Sequence, residues 1–137
     1  MGKTEDILIL TNNGLLAEGE RDNISYKDCE LKNLLYSARN YLNKGHNLLT
    51  DPQPPNFNLF YSPVRSLIFT EDKQNISAVN LGLMEEKISN YLARLEEIKL
   101  DYNRVLEYER VDKWLLESAI AEIRKGGNKN ELKIGQY

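Results

Sequence analysis

A length of 137 residues with 28% charged and 41% hydrophobic residues is the make-up of one folded domain rather than a disordered segment. The net charge of −3 is spread over interspersed acids and bases, so no basic stripe marks a nucleic-acid surface. The one cysteine, Cys29, excludes an intrachain disulfide and a four-cysteine zinc site, and its neighbours Asp28 and Glu30 disfavour the thiolate.

Two acids precede the first apolar run, and that run is too short to span a bilayer, so the expected location is the cytoplasm, without membrane contact. In that location the sequons Asn23-Ile24-Ser25 and Asn75-Ile76-Ser77 are chance matches. Gly2-Lys3-Thr4 resembles the end of a P-loop but lacks the preceding strand and glycine-rich loop. Asp6-Ile7-Leu8-Ile9-Leu10-Thr11 predicts a strand buried on both faces, closed by the turn signal Asn12-Asn13-Gly14. After a polar, exposed stretch at 18–23, Ile24-Ser25-Tyr26 predicts a weaker second strand.

Over residues 30–44, Leu31, Leu34, Leu35, Ala38, Tyr41 and Leu42 recur at three- and four-residue steps, which predicts an amphipathic helix. Asp28 is its expected N-cap, and Gly45 stands where a left-handed C-terminal cap belongs. Residues 46–50 predict another short strand. Pro52, Pro54 and Pro55 then make 51–63 a long irregular loop. Its Phe57, Leu59, Phe60 and Tyr61 must either pack across the domain or cover a ligand.

Residues 64–70 predict a third strong strand and 71–75 a turn. Beyond Gly82 the pattern is helical up to Gly126. Met84, Ile88, Tyr91, Leu95, Ile98, Tyr102 and Val105 form a heptad seam that stops at the charged Glu109. A new face begins with Val111, Leu115, Ala119 and Ile123, with Asp112 as the expected cap. One unbroken helix would reach roughly 60 Å, longer than a small domain is wide, so a bend or hairpin is expected near residues 103–112. The tail after Gly126-Gly127-Asn128 is polar.

This order predicts an α/β fold: a small, mostly parallel sheet of three to four strands with flanking helices and a long C-terminal helical segment, bent or folded as a hairpin. Residues 1–137 form one domain in this reading, with 78–125 as a helical extension packed on it or used as an interface.

Ligands of open α/β sheets bind beyond the carboxyl ends of the strands. Those ends offer Thr11, Asn12 and Asn13, then Thr50 and Asp51, then Thr70 and Glu71. Such a set suits a small polar molecule or, with waters, a hard cation such as Mg²⁺. The alternative is that Asn-Asn-Gly is only a turn and Thr50-Asp51 an ordinary strand exit. Arg65 is the anion-binding candidate, with a surface role as its alternative. His46 should lie at the far end of its strand from Asp51, by the helix C-terminus, where capping or structural bonding competes with catalysis or metal binding. No serine nucleophile elbow and no second histidine exist, so no catalytic residue, metal or cofactor is assigned.

Lys44-Gly45-His46-Asn47-Leu48-Leu49-Thr50, then Pro52, then Pro63-Val64-Arg65-Ser66-Leu67-Ile68, resembles the GrdX family. Thr11-Asn12-Asn13 closing the first strand is similar too, as is Val111-Asp112 leading into Leu116-Glu117-Ser118-Ala119-Ile120. The chain departs from the family pattern at Asp51, where that pattern carries a second histidine, and in the loop at 53–60. The helix at 84–105 reads as an insertion. The resemblance implies a bacterial setting beside glycine, sarcosine and betaine reductase genes, a context of amino-acid reduction rather than an activity.

Two functions follow. The first is an accessory or interaction protein, with Met84, Ile88, Tyr91, Leu95, Ile98 and Tyr102 as the interface of a homodimer or protein partner. The second is a small-molecule binding domain or small enzyme using Asn12, Asn13, Thr50, Asp51 and Arg65, with residues 52–63 as a lid. The first is placed ahead, because no complete catalytic constellation is visible.

Overall fold

The structure, a computed structural model, describes residues 6–17 and 23–126. The expectations for residues 1–5, for 18–22 and for the tail beyond Gly126 lie outside the described residues. Three strands, β1 (Ile7–Thr11), β2 (Ile24–Tyr26) and β3 (Ser66–Thr70), form one sheet in the order β2-β1-β3. Three helices accompany them: α1 (Leu31–Asn43), α2 (Ala78–Glu97) and α3 (Val105–Gly126). The fold is therefore α/β, and no helix among the described residues is long and apolar enough to cross a membrane.

The sheet is mixed rather than mostly parallel: β2 runs parallel to β1, and β3 runs antiparallel to it. Connectivity supplies the reason. Residues 47–49 run along the outer side of β3, where Leu49 N donates to Ile68 O at 2.7 Å and Thr70 N to Asn47 O at 2.8 Å. The loop at 50–65 then turns the chain straight back into β3 without a crossover helix, and such a return is antiparallel. The fourth strand expected at 46–50 shrinks to a single bridge, Leu48 with Phe69. At its end the Thr50 hydroxyl, not a backbone carbonyl, accepts from Ile68 N at 3.3 Å.

Strand alternation divides the core into two layers. Leu10, Leu67 and Phe69 face α1 and α2, joining Leu31, Leu34, Leu35, Ala38 and Leu42 of α1 with Ile88 and Tyr91 of α2. Ile7, Ile9 and Ile68 face the other way and meet Leu116 and Ile120 of α3. The β1–β3 register keeps like with like, pairing Ile9 with Ile68 and Leu10 with Leu67. Continuous apolarity in β1 thus reflects burial on both faces.

The helical region does break, but at 98–104, earlier than the spacing predicts. Ile98 takes an extended backbone after α2, and Asp101 caps a short 3₁₀ turn at Tyr102–Arg104. Asp101 N also donates to Tyr61 O at 2.8 Å. The two long helices lie on opposite sheet faces, so they form neither a rod nor a hairpin. The start of α2 is Ala78, capped by the Ser77 hydroxyl on Asn80 N. The N-cap position of α1 is Glu30, not Asp28, and its side chain makes no capping bond.

The middle of the heptad seam packs inside the chain. Ile88 and Tyr91 are fully buried against α1, and Met84 and Leu95 pack on the same cluster. Ile98 lies past the helix end and Tyr102 is exposed.

Gly45 has φ +103°, and a Cβ there would stand 3.2 Å from Lys73 Cβ. Gly45→Ala is expected to destabilise the fold by about 1–2 kcal/mol, measured as a lower denaturant midpoint. The Tyr91 hydroxyl is buried without a hydrogen-bond partner among the described residues, and burial pushes its phenol up to about 12. Tyr91→Phe removes only that unpaired group, so it should raise stability by about 1 kcal/mol in the same measurement.

Candidate functional site

Because β3 is antiparallel, the end of the sheet at Thr11 meets the start of β3, not its end. Thr70 and Glu71 therefore lie at the opposite end from Asn12, Asn13, Thr50 and Asp51. His46 is also at that opposite end, with Nδ1 donating to Thr70 O at 3.0 Å. It closes α1: Gly45 N donates to Leu42 O and His46 N to Tyr41 O, both at 3.0 Å, which is a Schellman cap. The His46 ring rests against Tyr41 with centroids 5.6 Å apart. Lys44, Gly45 and His46 thus form a helix stop.

At the Thr11 end, Asn12 and Asn13 face different duties. Asn12 joins three segments: Oδ1 accepts from Arg65 N at 2.9 Å, while Nδ2 donates to Pro63 O at 2.9 Å and Cys29 O at 3.2 Å. Asn13 is fully buried and reaches α3, its Nδ2 donating to Glu109 O and to Asp112 Oδ2, each at 2.9 Å. Its Oδ1 accepts from Leu15 N at 2.9 Å, leaving the side chain spent on structure.

Asp112 is the group that pattern reasoning misplaces. It is no helix cap; it stands in the middle of α3, 6% exposed, facing the sheet. The Ser66 hydroxyl donates to Asp112 Oδ2 at 2.6 Å, and Ser66 Oγ in turn lies 2.7 Å from Thr11 Oγ1. The missed signal is the spacing Asp112, Leu116, Ile120, which shifts the buried face of α3 one residue from Val111, Leu115, Ala119. Burial pushes the Asp112 carboxyl up, opposed by the Ser66 and Asn13 hydrogen bonds and by the Arg65 charge.

Arg65 is almost buried, and its guanidinium holds the chain of the neighbouring loop. Nε donates to Pro52 O at 3.0 Å, and Nη2 donates to Asp51 O at 3.0 Å and Gln53 O at 2.8 Å. A planar fork reaching three carbonyls is a task for arginine rather than lysine. The Asp51 carboxylate turns away, accepting from Gln53 N at 3.0 Å and pairing with Lys87 at 3.4 Å. That ion pair is half exposed and adds little.

Between this clamped loop, β3 and α3 lies a cavity of about 510 Å³. Arg65, Ser66, Thr50 and Asp112 line one part, and Ile68, Leu115, Leu116, Ala119, Pro54 and Pro55 the rest. Of the expected binding residues, Thr50, Asp51 and Arg65 line it; Asn12 and Asn13 stand behind its wall. Residues 57–61 are not among its lining. Phe60 turns to the other face, where it meets Tyr91 edge-on at 5.5 Å and Arg94 stacks over it at 4.8 Å, while Leu59 stays beside Tyr108, Val111 and Leu115 of α3.

Ser66 and Asp112 are hydrogen-bonded, but the histidine that would relay a proton is at the far end of the sheet. Among the described residues no cluster of three or more His, Cys, Asp or Glu side chains is arranged for a metal. Cys29 gains no activation, since burial pushes its thiol up, Asp28 and Glu30 add to this, and Lys27 opposes it.

A family model described as GrdX-like protein matches residues 8–121. The chain belongs to the GrdX-like family. No curated protein matches it, and no solved structure does. The matched span takes in β1 from Leu8 onward, the Lys44-Gly45-His46 helix stop and the cavity wall of this GrdX-like protein up to Ala119.

A carboxyl whose folded pKa lies above its ordinary value near 3.8 favours the fold when protonated. Its contribution is full below the unfolded value and is lost as pH rises through the folded one. Asp112→Asn keeps an acceptor for Ser66 and Asn13 but cannot titrate. The stability of the wild type relative to Asp112→Asn should therefore fall as pH rises from 3.8, read from paired denaturation curves.

Proposed function

We propose that this GrdX-like protein is a cytoplasmic accessory protein that binds a small molecule in the cavity between β3, α3 and residues 50–55. One observation carries the reading: the 510 Å³ space, apolar along most of its wall, has buried charged groups gathered at one end. Small-molecule sites commonly occupy roughly 300–1,000 Å³ with this kind of lining. Residues 78–125 act as part of one domain in this view, since α3 supplies a wall of the site. The family resemblance supports a place beside glycine, sarcosine and betaine reductase metabolism, and the missing nucleophile–base pair favours a carrier or sensor over an enzyme.

Thermal melting against a panel of amino acids, amines, carboxylates, nucleotides and phosphate esters tests this. A ligand present at 100 times its Kd stabilises by about 2.7 kcal/mol, a shift of several degrees. Ala119→Trp puts an indole into the apolar part of the cavity and should abolish that shift while leaving the protein folded. No shift with any compound, or an equal shift in Ala119→Trp, contradicts the proposal.

A further inference from the structure

The polar end of the cavity carries two opposite charges that do not neutralise each other by contact. Arg65 makes no ion pair among the described residues, although its charge acts on Asp112. Its Nε and Nη2 are committed to the loop carbonyls, and Nη1 has no hydrogen-bond partner there. Both side-chain donors to Asp112 fall on Oδ2. Oδ1 receives no side-chain hydrogen bond among the described residues and keeps acceptor capacity for a ligand. Arg65 and Asp112 line the same cavity.

The order of groups along the cavity gives a direction. The Ser66–Asp112 hydrogen bond marks the polar end. One step further along β3 and α3, Ile68 packs with Leu116, and Ala119 lies beyond. A ligand that satisfies this lining has a head bearing both an anion and a cation, and an apolar body on one side of it. A simple carboxylate would find Arg65 but lie beside the Asp112 charge; a simple amine would meet the reverse conflict. Size adds a constraint, because 510 Å³ leaves room for a branched or aromatic side chain past the head group.

We infer that the cavity recognises a zwitterionic α-amino acid with an apolar side chain, its carboxylate on Arg65 Nη1 and its ammonium on Asp112 Oδ1. This rests on the cavity being a ligand site. The two claims separate in a titration calorimetry series with three probes that share the same isobutyl group: leucine, 4-methylpentanoate, which lacks the ammonium, and 3-methylbutylamine, which lacks the carboxylate. Leucine should bind the wild type at least about tenfold more tightly than either analogue, the value of one charged hydrogen bond. In Asp112→Asn, leucine should weaken by about tenfold while 4-methylpentanoate holds or gains affinity, an inversion that mere loosening of α3 does not produce. If Asp112→Asn fails to fold, the wild-type series alone decides.

Equal binding of leucine and 4-methylpentanoate overturns the zwitterion assignment. If Ala119→Trp abolishes that binding, the cavity itself survives as a ligand site. Failure of all three probes, while another compound stabilises the wild type and not Ala119→Trp, also overturns the inference and spares the site.

Discussion

The Asp112 carboxylate, taken out of water and shared by Ser66 and Asn13, is the constraint on which the site depends. A buried charge is costly unless its hydrogen bonds are made, so α3 must present this turn to the end of β1 and the start of β3. Thr11, bonded to Ser66, extends the network into β1. Further along α3, Leu116 and Ile120 close on Ile7, Ile9 and Ile68, and there the interface is apolar packing. The helix is thus pinned by polar contacts at one end and by apolar packing at the other.

Arg65 sets the second boundary. Its backbone is fixed by Asn12, and its guanidinium holds the carbonyls of Asp51, Pro52 and Gln53. Prolines deprive this loop of regular structure, and arginine replaces the missing ladder with three charge-assisted bonds. The loop stands beside α3 without closing onto it, and the cavity is the space that remains. The proposed function rests on that gap.

Much of the architecture is legible in residue order. Continuous apolar runs identify β1 and β3, a period of 3.6 identifies α1, and Gly45 marks its helix end correctly because a left-handed cap has a local chemical signature. Placing His46 and Asp51 at opposite ends follows from strand length alone. Parallel versus antiparallel pairing is different: it depends on where the chain re-enters the sheet after residues 50–65, and nothing in the composition of β3 encodes that. An all-parallel reading therefore puts Thr70 and Glu71 at the wrong sheet end. Asp112 is hidden for a related reason. An aspartate next to an apolar run reads locally as a cap, and only tertiary contact with Ser66 and Asn13 reveals a buried carboxylate. The heptad seam is a third case, since the same spacing serves an intermolecular coil or, as with Ile88 and Tyr91, the chain's own core.

The most direct measurement is the titration of the Asp112 carboxyl carbon by NMR, in the free protein and with saturating leucine. The account predicts an apparent pKa above 3.8 in the free protein, and a fall on leucine binding as the ammonium stabilises the ionised form. An Asp112 that titrates at its ordinary value and does not respond to leucine would contradict it.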